Sequence, residues 1–372
     1  MKGQSKTGFR KKLMEVPLVS GYALGESPEC LARRLKLRPS EVLKLNSSEN
    51  FFIPREKLAA ILLKVVEELD PRIYPHEEVS NFKEALSRYL GLSPDHIIIG
   101  NGGDQLIDLI TRLFLDKDDE ALSISPTFSM YCHSVNLQRS KYVEVPLKED
   151  FSLDIEQILA KITPKSKLIF LCSPNNPTAN QFKMDEVQSL IEEFEGLVFV
   201  DEAYVEFADY SITRLVEKFE NLVVLRTFSK AFGLASLRLG YAISNQDLAK
   251  IVTKAQLPYA VNSIALKASS KMLETIKVVD KGVRDLKTER RRLIKRLNEI
   301  EGVTAFDSKA NFVLFRTEKS SSKVCESLVE RGILVKDISK VLNFSNCLRT
   351  TVGLPEMNNK LLAALELGGT KN

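Results

Sequence analysis

The 372-residue chain has no tryptophan, three histidines and five cysteines, and each shortage removes a class of function. His76, His96 and His133 are too few and too scattered for a histidine-rich metal site. Cys30, Cys132, Cys172, Cys325 and Cys347 are odd in number and contain no C-x-x-C pair. That argues against a zinc site or disulfide frame and for reduced thiols in a cytosol. No apolar run approaches bilayer-crossing length, and the basic N-terminus lacks the apolar core of a signal peptide. A soluble, cytoplasmic protein with no membrane partner is expected. Charge of one sign is not concentrated either, since the net value is +4. The clusters Arg10-Lys11-Lys12 and Arg290-Arg291-Arg292 read as solvated faces, not as a nucleic-acid footprint. What remains is ordinary globular composition, 44% apolar and 27% charged. This length can bury a large core and is expected to fold as two domains.

The first 20 or so residues read as a mobile tail, and a short amphipathic helix runs through Leu31 and Leu35. Ile97-Ile98-Ile99-Gly100 is a short buried strand. It is followed by Asn101-Gly102-Gly103-Asp104 and an apolar-periodic helix through Leu106, Ile107 and Ile110. Strand, paired glycines and helix N-terminus form an anion cradle or a plain N-cap turn. Strands over 121–125, 142–146, 168–173, 197–201, 222–227 and 240–244 then alternate with helices. That alternation predicts an α/β fold with a mainly parallel, helix-covered sheet of about seven strands. A long helical region over about 264–300 precedes an α+β module with strands at 303–306, 312–315, 333–336 and 348–352.

The stretch Thr227-Phe228-Ser229-Lys230-Ala231-Phe232-Gly233 follows the apolar run Leu222–Leu225, and Arg238 lies eight residues beyond the lysine. Ligands bind at the carboxyl ends of strands in open α/β sheets. A lysine there, shielded by Phe228 and Phe232, loses hydration, is more easily neutral and can condense with an aldehyde. Thr227, Ser229 and Arg238 are the donors that a phosphate ester needs. Together they describe a pocket for pyridoxal 5'-phosphate (PLP). Taken singly, Lys230 could snorkel from a loop and Arg238 could make a surface ion pair. Neighbouring strand ends supply the rest. Asp201 can hold a protonated pyridine nitrogen, Tyr204 and Asn176 can donate to the phenolate oxygen, and Phe128 can cover a ring face. Asp201 as a helix cap and Asn176 as a turn residue are the simpler uses of each alone.

These residues resemble the histidinol-phosphate aminotransferase family of fold-type-I PLP enzymes. The similarity runs from about Gly21 to Gly353. It is carried by Ser48-Glu49-Asn50, Tyr74-Pro75, Gly100-Asn101-Gly102-Gly103-Asp104, Pro126-Thr127-Phe128-Ser129-Met130-Tyr131, Asn175-Asn176-Pro177-Thr178, Asp201-Glu202-Ala203-Tyr204, the Lys230 segment, Ala310-Asn311-Phe312 and Leu348-Arg349-Thr350-Thr351-Val352-Gly353. The resemblance implies Lys230 as cofactor-binding lysine and proton carrier, and Asp201, Asn176 and Tyr204 on the ring. It implies Gly103, Asp104, Thr227, Ser229 and Arg238 on the phosphate, joined by Tyr74 of a second subunit. Arg349, Tyr22, Asn50 and Tyr259 are the implied substrate contacts. It further implies a homodimer, with residues 1–53 as an N-terminal arm and part of a small domain. Residues 54–262 are then the large PLP-binding domain, and 263–372 complete the small one. The implied reaction is transamination of L-histidinol phosphate with 2-oxoglutarate, in histidine biosynthesis. An aromatic aminotransferase and a threonine-phosphate decarboxylase are the same-fold alternatives, and a non-catalytic PLP-fold regulator is the other class.

Overall fold

The computed structural model describes residues 4–15 and 25–368. Its centre is a seven-stranded sheet of β2 (Ile97–Gly100), β3 (Glu120–Ser125), β4 (Lys141–Pro146), β5 (Ser166–Cys172), β6 (Leu197–Asp201), β7 (Leu222–Thr227) and β8 (Gly240–Ser244), in the order β2-β8-β7-β6-β5-β3-β4. The strands alternate between two cores. Ile97 and Ile99 pack into one, Ile98 into the other, and Val224 and Val223 divide in the same way. With a side-chain period of two, both faces must be covered, and the flanking helices cover them.

The parallel strands β3, β5, β6 and β7 all end at one edge. β8 runs antiparallel to both β7 and β2, with Gly240 opposite Thr227 and Gly100. The expected strand at 240–244 therefore enters the sheet from the edge where the others leave it. This reversal is what puts Arg238, just before β8, beside the residues released by β2 and β7. The chain order reverses between β3 and β5, the place where a crevice opens in such sheets. Asn175 ties the two sides there. It accepts from Thr127 Oγ1 at 2.8 Å and donates to the Pro126 carbonyl at 2.9 Å.

A second sheet, order β12-β13-β10-β9, is antiparallel: β9 (Val303–Ala305), β10 (Phe312–Thr317), β12 (Lys336–Val341) and β13 (Phe344–Thr351). Beside it β1 (Leu43–Lys44) pairs in parallel with β11 (Ile333–Leu334). The N-terminal segment thus joins the C-terminal module, and Thr351 N–H donates to the Leu45 carbonyl at 2.7 Å. The long helical region is two helices, Ser263–Glu274 and Ile276–Asn298.

Two expectations need correction. The N-terminal segment read as a tail contains a helix, Gln4–Glu15, built from a charged sequence with no clear apolar stripe. Arg290, read as part of a solvated basic face, is buried and donates to the carbonyls of Phe207 and Ala310 at 3.2 and 2.7 Å. Those carbonyls come from distant parts of the chain, so local sequence gives no sign of them. Among the described residues no helix is long and apolar enough to cross a membrane.

Candidate active site

At the carboxyl edge of the seven-stranded sheet lies a cavity of about 490 Å³. Gly103, Asp104, Phe128, Asn176, Asp201, Tyr204, Thr227, Ser229, Lys230, Arg238 and Arg349 all line it. Six strand ends of this sheet supply all but Arg349, which comes from the second sheet, so the convergence follows from topology.

One end is an anion cradle. The helix Gly102–Phe114 starts there, leaving its first N–H groups without helical acceptors. Gly102 has φ +80°, and a Cβ on it would sit 2.8 Å from Arg238 Nη2. A Cβ on Gly240 would come within 2.7 Å of the Gly102 carbonyl carbon. These two glycines let the start of β8 press against the helix N-terminus, which brings the guanidinium over the free N–H groups. Arg238 Nη2 pairs with Asp104 Oδ2 at 3.1 Å. Thr227 Oγ1 accepts from Ser229 N–H at 3.1 Å, fixing the loop that starts at the end of β7.

Lys230 stands in the middle. Its Nζ donates to the Ser47 carbonyl at 3.1 Å and lies 5.6 Å from the centroid of the Tyr204 ring. Burial, with the Arg349 guanidinium adding to it, pulls its ammonium down to about 8. Phe228 and Phe232, expected to shield the amine, do not line the cavity. They are fully buried against each other, ring centroids 4.2 Å apart, and anchor the loop in the core. The amine sits instead beside the Tyr204 ring and the Ser47-Ser48 segment. That segment is held by Ser48 N–H to Thr351 Oγ1 at 3.0 Å and by Asn311 Nδ2 to the Ser48 carbonyl at 2.8 Å.

Asp201, only 4% exposed, closes the cavity floor. Burial pushes its carboxyl up to about 6, against the pull of two donors: Tyr131 O–H to Oδ2 at 2.7 Å and Ala203 N–H to Oδ1 at 2.9 Å. The next residue, Glu202, is used structurally. It forms a buried ion pair with Arg226 at 3.0 Å and accepts from Ile212 N–H at 2.8 Å, which fixes the chain beyond β6. At the opposite side Arg349, on β13, donates through Nη1 to Asn176 Oδ1 and through Nη2 to the Asn46 carbonyl at 2.9 Å. Its guanidinium lies 5.0 Å from the Phe312 ring centroid.

The class I and II aminotransferase profile matches residues 40–365. Two histidinol-phosphate aminotransferases, from Thermoanaerobacter pseudethanolicus and Methanosarcina mazei, are 39% and 38% identical to the chain. The first alignment covers 87% of this chain and 92% of the relative, the second 94% of each. The chain belongs to the histidinol-phosphate aminotransferase family, within the class I and II aminotransferases. The crystal structure of the Sinorhizobium meliloti histidinol-phosphate aminotransferase with PLP shares the fold, with TM-score 0.84 and 24% identity over 93% of this chain and 95% of that one.

The donor set fits the cofactor of this family. A buried carboxyl raised by desolvation is matched by a protonated pyridine nitrogen, which supplies a cation on its side of the cavity. The glycine-walled cradle under Arg238 suits a phosphate ester, and the depressed Lys230 amine suits an aldehyde.

Not every expected residue reaches the cavity. Tyr22 lies outside the described residues. Asn50 does not line it, because its amide is used locally: Nδ2 donates to the Ala231 carbonyl at 2.8 Å and Oδ1 accepts from Phe52 N–H at 2.9 Å. Ser47 and Ser48 occupy the wall instead. Tyr74 and Tyr259 stack on each other at 4.6 Å on the surface, outside the cavity. Sequence reasoning gave Tyr131 no role. Its signal was the spacing of two aromatics, Phe128 and Tyr131, three residues apart where a helix begins.

Proposed function

We propose that the protein transfers the amino group of L-histidinol phosphate to 2-oxoglutarate, using PLP and giving imidazole acetol phosphate and glutamate. The observation that carries this is the single cavity in which a depressed lysine amine, a buried acid, a helix-end anion cradle and Arg349 converge. When bound, the cofactor supplies a carbonyl for the amine and a ring that draws electrons from the carbon losing its proton. Gly103 and Asp104 through their N–H groups, with Thr227, Ser229 and Arg238, hold the phosphate. Asp201 keeps the ring nitrogen protonated, while Tyr204 O–H and Asn176 Nδ2 donate to the phenolate oxygen and Phe128 covers the ring. Lys230 Nζ, in its neutral form, would take the proton from the substrate carbon and deliver it to the cofactor carbon. Arg349 grips the anionic end of each substrate. A guanidinium fork matches phosphate or carboxylate, so one residue serves both half-reactions.

The substrate is tested with a panel of histidinol phosphate, phenylalanine, tyrosine and threonine phosphate against 2-oxoglutarate. Histidinol phosphate should give a kcat/KM at least roughly tenfold above either aromatic amino acid, about the worth of one charged contact. Equal use of phenylalanine would move the protein to the aromatic aminotransferases. Carbon dioxide from threonine phosphate would make it a decarboxylase.

The working unit in this proposal is a cytoplasmic homodimer with shared sites. Residues 54–262 form its large domain, and 1–53 with 263–372 the small one. Support comes from the outward-facing Tyr74–Tyr259 stack, whose neighbours Ile73 and Leu257 are also exposed. Tyr74 then reaches the partner's phosphate cradle, and Tyr22 and Tyr259 stand at the substrate entrance. Tyr74→Ala and Lys230→Ala proteins, each impaired, should recover up to about a quarter of wild-type activity when their subunits exchange, since half the dimers are mixed and each holds one intact site. Exchange without recovery would exclude shared sites.

A further inference from the structure

Asp201 meets a second buried acid–base group that the reaction as described above does not use. Tyr131 is fully buried and lies flat on Phe170, with ring centroids 4.8 Å apart and planes 6° from parallel. Its other side meets Phe128 edge-on at 5.6 Å and 85°. Two aromatic contacts at right angles leave the ring no room to swing, so the phenol oxygen is fixed 2.7 Å from Asp201 Oδ2. Among the described residues no other side chain hydrogen-bonds to Asp201, and the second donor is the backbone N–H of Ala203.

We infer that Tyr131 is a positioning residue for transamination, acting through Asp201 to keep the proton on the cofactor's ring nitrogen. The inference rests on the cofactor reading given above. A carboxylate and a ring nitrogen share one proton in a buried site, and whatever stabilises the carboxylate leaves the proton on the ring. Burial raises the ionisation of Tyr131 far above the usual phenol range, so its hydroxyl keeps its proton and donates it to the carboxylate, which as an ionised group can only accept. It also fixes the direction of Oδ2, leaving the remaining lone pairs of the carboxylate for the ring. Phe128, on the cavity wall, rests against the same phenol, so one clamped ring supports both the Asp201 carboxyl and the Phe128 wall.

The test is Tyr131→Phe, which keeps the stack and removes only the hydroxyl. Holoenzyme loaded with ¹⁵N-labelled PLP reports ring protonation directly by its nitrogen chemical shift. Wild type should show a protonated nitrogen, and Tyr131→Phe a shift towards the unprotonated position. Its kcat should fall about 10- to 100-fold, the range of one hydrogen bond to a buried charge, with little change in KM. In an Asp201→Asn background the same substitution should add almost no further loss, because the hydroxyl acts only through the carboxylate. A fully protonated nitrogen in Tyr131→Phe with kcat within about twofold of wild type would overturn the inference and leave the cofactor reading standing. Losses that multiply in the double variant would likewise make the role merely structural. A wild-type protein that binds PLP without protonating its nitrogen would overturn the Asp201 assignment and this inference together.

Discussion

Lys230→Ala is expected to lower kcat by at least about 10³-fold while the protein still binds PLP. General acid–base catalysis alone is worth roughly 10²–10⁴-fold, and in the proposed mechanism this residue would also supply the covalent attachment. The proposed phosphate grip, by contrast, would use Arg238, Thr227, Ser229 and the helix N-terminus, none of which the substitution touches. Borohydride reduction followed by peptide mapping should label Lys230 in the wild type, and label on another lysine would sink the assignment. The amine also sets a pH dependence. Burial and Arg349 pull it from an ordinary 10.5 to about 8, and only the neutral form attacks an aldehyde. Capture of PLP by apoenzyme should therefore accelerate as pH rises through about 8 and level off above it. Stopped-flow absorbance would show this, and a rate still climbing at pH 10 would mean that the amine is not desolvated.

Asp201→Asn should cost about 3–5 kcal/mol of transition-state stabilisation, the scale for breaking a buried charge pair. At about 1.4 kcal/mol per decade that is on the order of a hundred- to several-thousand-fold in kcat. The amide keeps the shape and can still engage Ala203 and Tyr131, but it cannot hold a cationic ring nitrogen. PLP affinity should fall far less than turnover, because the phosphate cradle and Lys230 remain. Parallel measurement of the PLP dissociation constant and kcat separates the two. Near-native turnover would show that the ring works without this acid.

The parts most legible in the sequence were those that need only local pattern. Near-continuous Val, Ile and Leu in 168–172, 197–201 and 222–227 can only be strands buried on both faces, and polar residues appearing after each must share an edge if the strands are parallel. That logic placed Asp201, Asn176 and Lys230 together without reference to contacts. Strand direction was not legible at 240–244, since alternation marks a strand but not which way it runs. β12 and β13 were clipped for another reason. The pair Lys336–Val341 and Phe344–Thr351 carries polar and half-buried residues over much of its length, so hydrophobic pattern marked β11 and the buried end of β13 and missed nearly all of β12. Asn50 and Tyr131 changed places for a third reason. Sequence shows that an amide and a phenol are near the site, but only packing decides which one a backbone carbonyl takes and which one meets the acid.

The reversal at β8 has a consequence for how such an enzyme can diversify. Lys230 and Arg238 belong to one loop between paired strands, so in the proposed mode the spacing between the two cofactor contacts would be written into a short piece of chain. Arg349 lies on β13 of the other sheet and the Ser47-Ser48 wall follows β1, each more than a hundred residues away, on either side. Drift at those outer positions can retune which anion is accepted while the inner loop keeps its dimensions. A lineage built this way can explore new amines without losing its hold on the cofactor.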